Sequence, residues 1–192
     1  MNYVDQLRRN LTLEPEEVLY RASVLALITH EDDPKLLLTR RASTLKSHAG
    51  QVSLPGGMRE LHERSNAEAA LRETHEEVGV PPESVELIGC LPTVRARSGK
   101  EVKPLVGLVQ PNPQLILEER EVARAFWVPL SELLDAPVQP YHVRYYGVPL
   151  KTASFVLQDE VVWGLTGRVL VHLLDAGFGA KRQWSQVMKP WK

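Results

Sequence analysis

The chain has 192 residues, with 23 Lys and Arg against 24 Asp and Glu and a net charge of −1 at pH 7. That length fits one domain with terminal embellishments, and the near-zero charge argues against the basic footprint of a nucleic-acid-binding protein and against an acidic solvating tail. The single cysteine, Cys90, rules out a disulfide within the chain and suits a reducing cytosol. No apolar run approaches the ~20 residues that span a bilayer, and Met1–Asn10 lacks the apolar core of a signal peptide. The expected location is therefore the cytoplasm, with no membrane and no nucleic acid as partners.

In chain order, the polar stretch Met1–Glu17 reads as a helix or an arm. Leu19–Thr29 and Lys35–Arg40 flank the turn His30–Pro34 and predict a hairpin. Gln51–Leu54 is a short strand ended by Pro55-Gly56-Gly57. Ser65–Val78 predicts a helix stopped by Gly79. Strands are expected over Val85–Leu91, Val102–Val109 and Ala125–Val128, then a short helix over Ser131–Leu134. Tyr141–Leu157 alternates like a strand pair turning at Gly147, and Val161–Ala176 reads as an amphipathic helix stopped by Gly177. The order predicts an α+β arrangement, with a mixed sheet packed against helices.

The helix over Ser65–Val78 carries the chemistry. Ser65 and Glu68 have the spacing of a capping box. With Glu73 as zero, turning about 100° per residue puts Glu77 at about +40° and Glu76 at about −60°. Small and apolar Ala67, Ala70, Leu71, Thr74 and Val78 fill the neighbouring face, and Arg72 lies at the edge of the acidic one. Such like charges repel by a few tenths of a kcal/mol per pair, and the helix dipole disfavours them near its C-terminus. A solvated acidic face is the common explanation. A divalent cation such as Mg²⁺, which pairs carboxylates with substrate phosphates, is the chemical one.

The flanking sequence decides between them. Gly57, Glu63, Arg72-Glu73, Glu76-Glu77 and Gly79 together resemble the box of the Nudix hydrolases. Eight residues separate Glu63 from Arg72, one more than in the general box. That longer form resembles the coenzyme A pyrophosphatase branch. So does the upstream stretch Leu37-Leu38-Thr39-Arg40-Arg41-Ala42, continuing from Leu45 through Lys46, His48, Gly50, Gln51, Val52 and Leu54 to Gly57. Lys46 and Leu54 stand where that branch usually carries arginine and phenylalanine. The resemblance covers residues 19–176, leaving an N-terminal arm, 1–18, and a C-terminal tail, 177–192, outside a single domain.

The resemblance implies the Nudix α/β/α sandwich and hydrolysis of a diphosphate with Mg²⁺ or Mn²⁺ as cofactor. Coenzyme A as substrate would give 3′,5′-ADP and 4′-phosphopantetheine. ADP-ribose or another nucleoside diphosphate derivative is the alternative small-molecule substrate, and a non-catalytic binding module is the third option. A homodimer is left open. By carry-over, Glu73, Glu76, Glu77 and the Gly56 carbonyl hold metal. Arg72 orients the glutamates, with Glu63 acting behind it, and Glu121 is a further ligand or base. Arg40, Arg41, Lys46 and His48 are candidates for the nucleotide end of the substrate. Arg95, Arg97 and Lys100 form a second basic loop. His75, at about −160° on the wheel, is read as a surface or boundary residue. Cys90 is read as a buried small hydrophobe, and Trp127, Trp163, Tyr141, Tyr145 and Tyr146 as packing residues, with one tyrosine free to stack on adenine.

Overall fold

The computed structural model describes residues 2–13, 18–96, 98–145 and 147–181. Its first helix, α1 (Tyr3–Asn10), starts where the Asn2 side chain accepts from the Asp5 N–H. Val4 and Leu7 of this helix are fully buried, so the polar N-terminus is a packed helix rather than a free arm.

Strands β1 (Ala22–Thr29) and β2 (Lys35–Arg41) form the expected antiparallel hairpin. The Thr29 hydroxyl closes its turn, accepting from the Lys35 N–H at 2.8 Å and donating to Glu31 at 2.6 Å. After β3 (Val52–Ser53) and β4 (Gly56–Met58) comes α2 (Asn66–Val78). Ser65 Oγ caps α2 by accepting from the Glu68 N–H, and Gly79 ends it at φ 77. Then follow β5 (Glu86–Cys90), β6 (Val94–Arg95), β7 (Glu101–Val109), β8 (Val122–Pro129) and α3 (Leu130–Asp135). The chain continues through β9 (Gln139–Tyr145), β10 (Val148–Leu157), β11 (Glu160–Trp163) and α4 (Gly164–Phe178).

Among the described residues the main sheet runs β3-β2-β1-β7-β5, with β8 along β2, β4 beside the start of β1 and β6 beside β7. β1 and β7 are parallel and the other pairings are antiparallel, so the sheet is mixed. Alternation along β1 makes two cores. Leu25 and Leu27 pack with Ala70 and Val78 of α2 on one face. Ala26 and Ile28 pack with α1, α3, α4 and the second sheet, β11-β10-β9, on the other. This is the expected sandwich of helices about a mixed sheet. Among the described residues no helix is long and apolar enough to cross a membrane.

The last helix departs from expectation. Val161–Trp163 belongs to β11, paired with Val156–Ser154 of β10. Val-Val-Trp is β-branched and aromatic and packs on a pleated surface better than it begins a helix. Gly177 lies inside α4, where a Cβ would press on Leu7, and the helix stops at Gly179 with φ 64. The strands β4 and β6 were also unforeseen.

Candidate active site

Helix α2 is brought to the sheet by its small face, and its carboxylates meet the Pro55-Gly56-Gly57 turn. Gly57 pairs with Ser23 of β1. A Cβ on Gly57 would overlap the Glu73 carboxylate, so glycine here makes room for that side chain. The Gly56 N–H donates to Glu77 Oε2 at 3.1 Å.

Arg72 organises the acidic face. Its Nε donates to Glu63 Oε1 at 2.8 Å, Nη1 to Glu76 Oε2 at 2.8 Å, and Nη2 to Glu73 Oε1 at 3.0 Å and the Met58 carbonyl at 2.9 Å. One planar fork therefore serves three carboxylates and fixes α2 to β4. Glu63 is 5% exposed and also accepts from the Glu60 N–H at 2.6 Å. Burial pushes its pKa up, but the Arg72 hydrogen bond and the Glu60 N–H prevail and hold it below the usual carboxylate value.

The other carboxylates are held differently. Burial raises the pKa of Glu73, against the pull of Arg72. Glu77 is 3% exposed, and burial pushes it up to about 7 despite the Gly56 N–H and Arg41. Arg41 Nη1 stands 3.7 Å from Glu77 Oε1. Glu121 is exposed, and its negative charge adds to the upward shift of both Glu73 and Glu77. Glu76 is the open member, with a side chain 57% exposed.

Among the described residues no three His, Cys, Asp or Glu side chains close into a ready metal cage. Glu73 and Glu76 are turned to Arg72, and Glu77 to the Gly56 N–H. The donor set nevertheless fits a hard divalent cation. Its side-chain donors are all carboxylates, two of them desolvated and resisting ionisation, beside a glycine turn that leaves space for one of them.

Glu77 gives the metal-free protein a pH dependence. Its pKa is raised on folding, so the native state holds its proton more tightly than the unfolded chain. The stability it contributes is fully present below pH about 4.5 and is lost as pH rises through about 7. The loss is on the order of 3 kcal/mol. Melting temperatures of chelator-treated protein are expected to fall between pH 5 and 8, and to fall less in Glu77→Gln. An equal fall in both proteins would contradict this assignment.

Several site features were not read from the sequence. Ser23 is fully buried and its hydroxyl has no hydrogen-bond partner among the described residues. Leu25 and Leu27 face α2, so by alternation Ser23 does too, in a row with Gly57 and Lys103. An unpaired buried hydroxyl costs about 1 kcal/mol or more. Ser23→Ala is expected to stabilise the metal-free protein by about that amount in urea unfolding; a loss of stability would mean the hydroxyl is satisfied. Asn66 is 1% exposed and clamps the incoming chain, accepting from the Tyr20 N–H at 2.8 Å and donating to the Val18 carbonyl at 2.9 Å.

The basic candidates divide. Arg41 joins the carboxylate cluster, whereas Arg40 Nη1 donates to Glu160 Oε1 at 3.0 Å. Lys46 and His48 are exposed on the loop between β2 and β3, and His48 Nδ1 lies 3.0 Å from Gln51 Oε1. In the second basic loop, Lys100 Nζ is 3.9 Å from Met58 Sδ, beside the carbonyl that Arg72 grips. Arg95 pairs with Glu101 at 3.1 Å, and its carbonyl accepts from Arg168 Nη1 at 2.9 Å. Arg97 and Tyr146 lie outside the described residues. His75 is exposed, as its wheel position predicts. Cys90 is half-buried rather than buried, with Sγ 3.6 Å from the Thr12 carbonyl. Tyr141 stacks on Trp163 with centroids 4.8 Å apart.

The sequence matches the NUDIX domain family over residues 19–146. It is 40% identical over 175 residues to an uncharacterized Nudix hydrolase, NudL, of Enterobacter sp. (strain 638), covering 88% of this chain and 91% of that relative. It is 38% identical to the uncharacterized NudL of Pectobacterium atrosepticum, covering 88% of each. The fold is similar to the crystal structure of a MutT/nudix family protein from Enterococcus faecalis, with a TM-score of 0.52, 18% identity, and 87% of this chain and 65% of that chain covered.

Proposed function

This chain belongs to the Nudix hydrolase family, enzymes that act on diphosphate linkages, and from that premise we propose that it hydrolyses the diphosphate of coenzyme A or its acyl esters. The observation that carries the catalytic reading is the single Arg72 fork joining Glu63, Glu73 and Glu76 beside a buried Glu77. Support for coenzyme A comes from the Leu37–Gly57 stretch and the longer box, together with Arg41 beside Glu77.

In this reading Glu73, Glu76 and Glu77 would hold Mg²⁺ or Mn²⁺, with the Gly56 carbonyl as an additional oxygen. A divalent ion bound there would neutralise charge on the diphosphate and lower the pKa of a water. Arg72 orients Glu73 and Glu76 and keeps Glu63 charged behind them. Glu121, exposed and acting by its charge on Glu73 and Glu77, is the candidate for a further metal ligand or for the base that takes a proton from the attacking water. Arg41, Lys46 and His48 supply positive charge and donors where the anionic nucleotide half arrives.

A panel of diphosphates tests the substrate assignment. The highest kcat/KM is expected for coenzyme A or an acyl ester; a clear preference for ADP-ribose would overturn that assignment and leave the metal site standing. Absence of turnover on every diphosphate would favour a binding module.

A further inference from the structure

Arg40 and Arg124 are cross-strand partners in the β2–β8 ladder. Both guanidiniums converge on one oxygen, Glu160 Oε1, with Nη1 atoms at 3.0 and 3.5 Å. The arginine side chains are 48% and 54% exposed, whereas that of Glu160 is 15% exposed. The Arg124 guanidinium also lies over the Phe126 ring, 5.0 Å from its centroid.

Like charges directly opposite each other on a sheet are destabilising. A single arginine would satisfy Glu160, so the second leaves the group with a surplus positive charge. Each guanidinium has five N–H donors, and the contacts to Glu160 involve only one nitrogen of each. Glu160 and Phe126 restrain the pair from within the protein, leaving exposed forked donors of the kind that grip phosphate.

The group is joined to the carboxylate cluster through adjacent residues at the ends of β2 and β8. Arg40 precedes Arg41, which stands beside Glu77, and the ladder shifts register between the two arginines. Arg124 follows Glu121 by three residues, and the Glu121 carbonyl accepts from the Ala42 N–H at 2.8 Å. One face of this strand end thus holds the carboxylates, and the other holds two arginines sharing one acid.

We infer that Arg40 and Arg124 form a subsite for a phosphate monoester on the ribose of the substrate, the 3′-phosphate that coenzyme A carries and ADP-ribose lacks. The inference rests on the coenzyme A reading of the catalytic site. Arg124 and Glu160 then become specificity-determining residues, with Glu160 orienting both arginines.

The test is the ratio of kcat/KM for coenzyme A to that for 3′-dephospho-coenzyme A, in the intact protein and in Arg124→Met, Arg40→Met and the double variant. Methionine retains an apolar stem over Phe126, and thermal melts check folding. The intact protein is expected to favour coenzyme A by roughly tenfold or more, the worth of a charge-assisted hydrogen bond. The ratio should approach one in the double variant, mainly through KM. A ratio near one in the intact protein, or an unchanged ratio in the variants, would overturn the subsite. Failure of the intact protein to cleave either compound would instead overturn the coenzyme A reading beneath it.

Discussion

Glu76→Gln is expected to lower metal-dependent turnover by about 10³-fold, corresponding to about 4 kcal/mol of lost transition-state stabilisation. The replacement is nearly isosteric and can still accept from Arg72 Nη1, which lies 2.8 Å from Glu76 Oε2. It removes one negative charge from the proposed ligand set. The side chain is 57% exposed, and exposed ion pairs at i,i+4 contribute only a few tenths of a kcal/mol, so the melting temperature should hardly move. The check is steady-state hydrolysis over a Mg²⁺ titration alongside a thermal melt. Full activity in this variant would remove Glu76 from the mechanism.

The largest loss of stability is expected from Arg72→Met, at about 3 kcal/mol or more. Methionine strands Glu63, 5% exposed, and leaves it the hydrogen bond from the Glu60 N–H. Breaking one side of a buried ion pair costs more than the pair itself contributes, because the other charge stays buried. The double variant Arg72→Met/Glu63→Gln should therefore recover much of the loss. Urea unfolding of the four proteins in the cycle measures this coupling. Additive losses would mean that Arg72 acts mainly by packing its stem. Turnover in Arg72→Met should also fall, because Glu73 and Glu76 lose their common anchor; outer-shell losses around metal sites are typically 10–100-fold.

Helix α2 was the most legible part of the molecule. Ser65 and Gly79 mark its ends chemically, and the 100° period placed Glu73, Glu76 and Glu77 on one side with His75 turned away. The contact between Glu63 and Arg72 was anticipated too, from the resemblance of the surrounding residues to the family's box. The division between Arg40 and Arg41 was not. They are adjacent in sequence, and what separates them is the register shift in the β2–β8 ladder and the arrival of Glu160 from a distant strand. Ser23 carried no signal either, since one serine in an apolar strand looks the same whether its hydroxyl is paired or orphaned. Val161–Trp163 misled because a short apolar run fits a strand or the first turn of a helix, and only pairing with β10 decides. Asn66 was hidden inside a good helix start, although it fastens residues 18 and 20 to that start.

The central proposal is one reaction, water attack on the diphosphate of coenzyme A at the carboxylate cluster that Arg72 holds together. Mass analysis of the products after incubation with coenzyme A and Mg²⁺ tests it most directly. The account predicts 3′,5′-ADP and 4′-phosphopantetheine in equal amounts, formed only with the divalent ion present. Intact coenzyme A, or products from cleavage at any other bond, would contradict it.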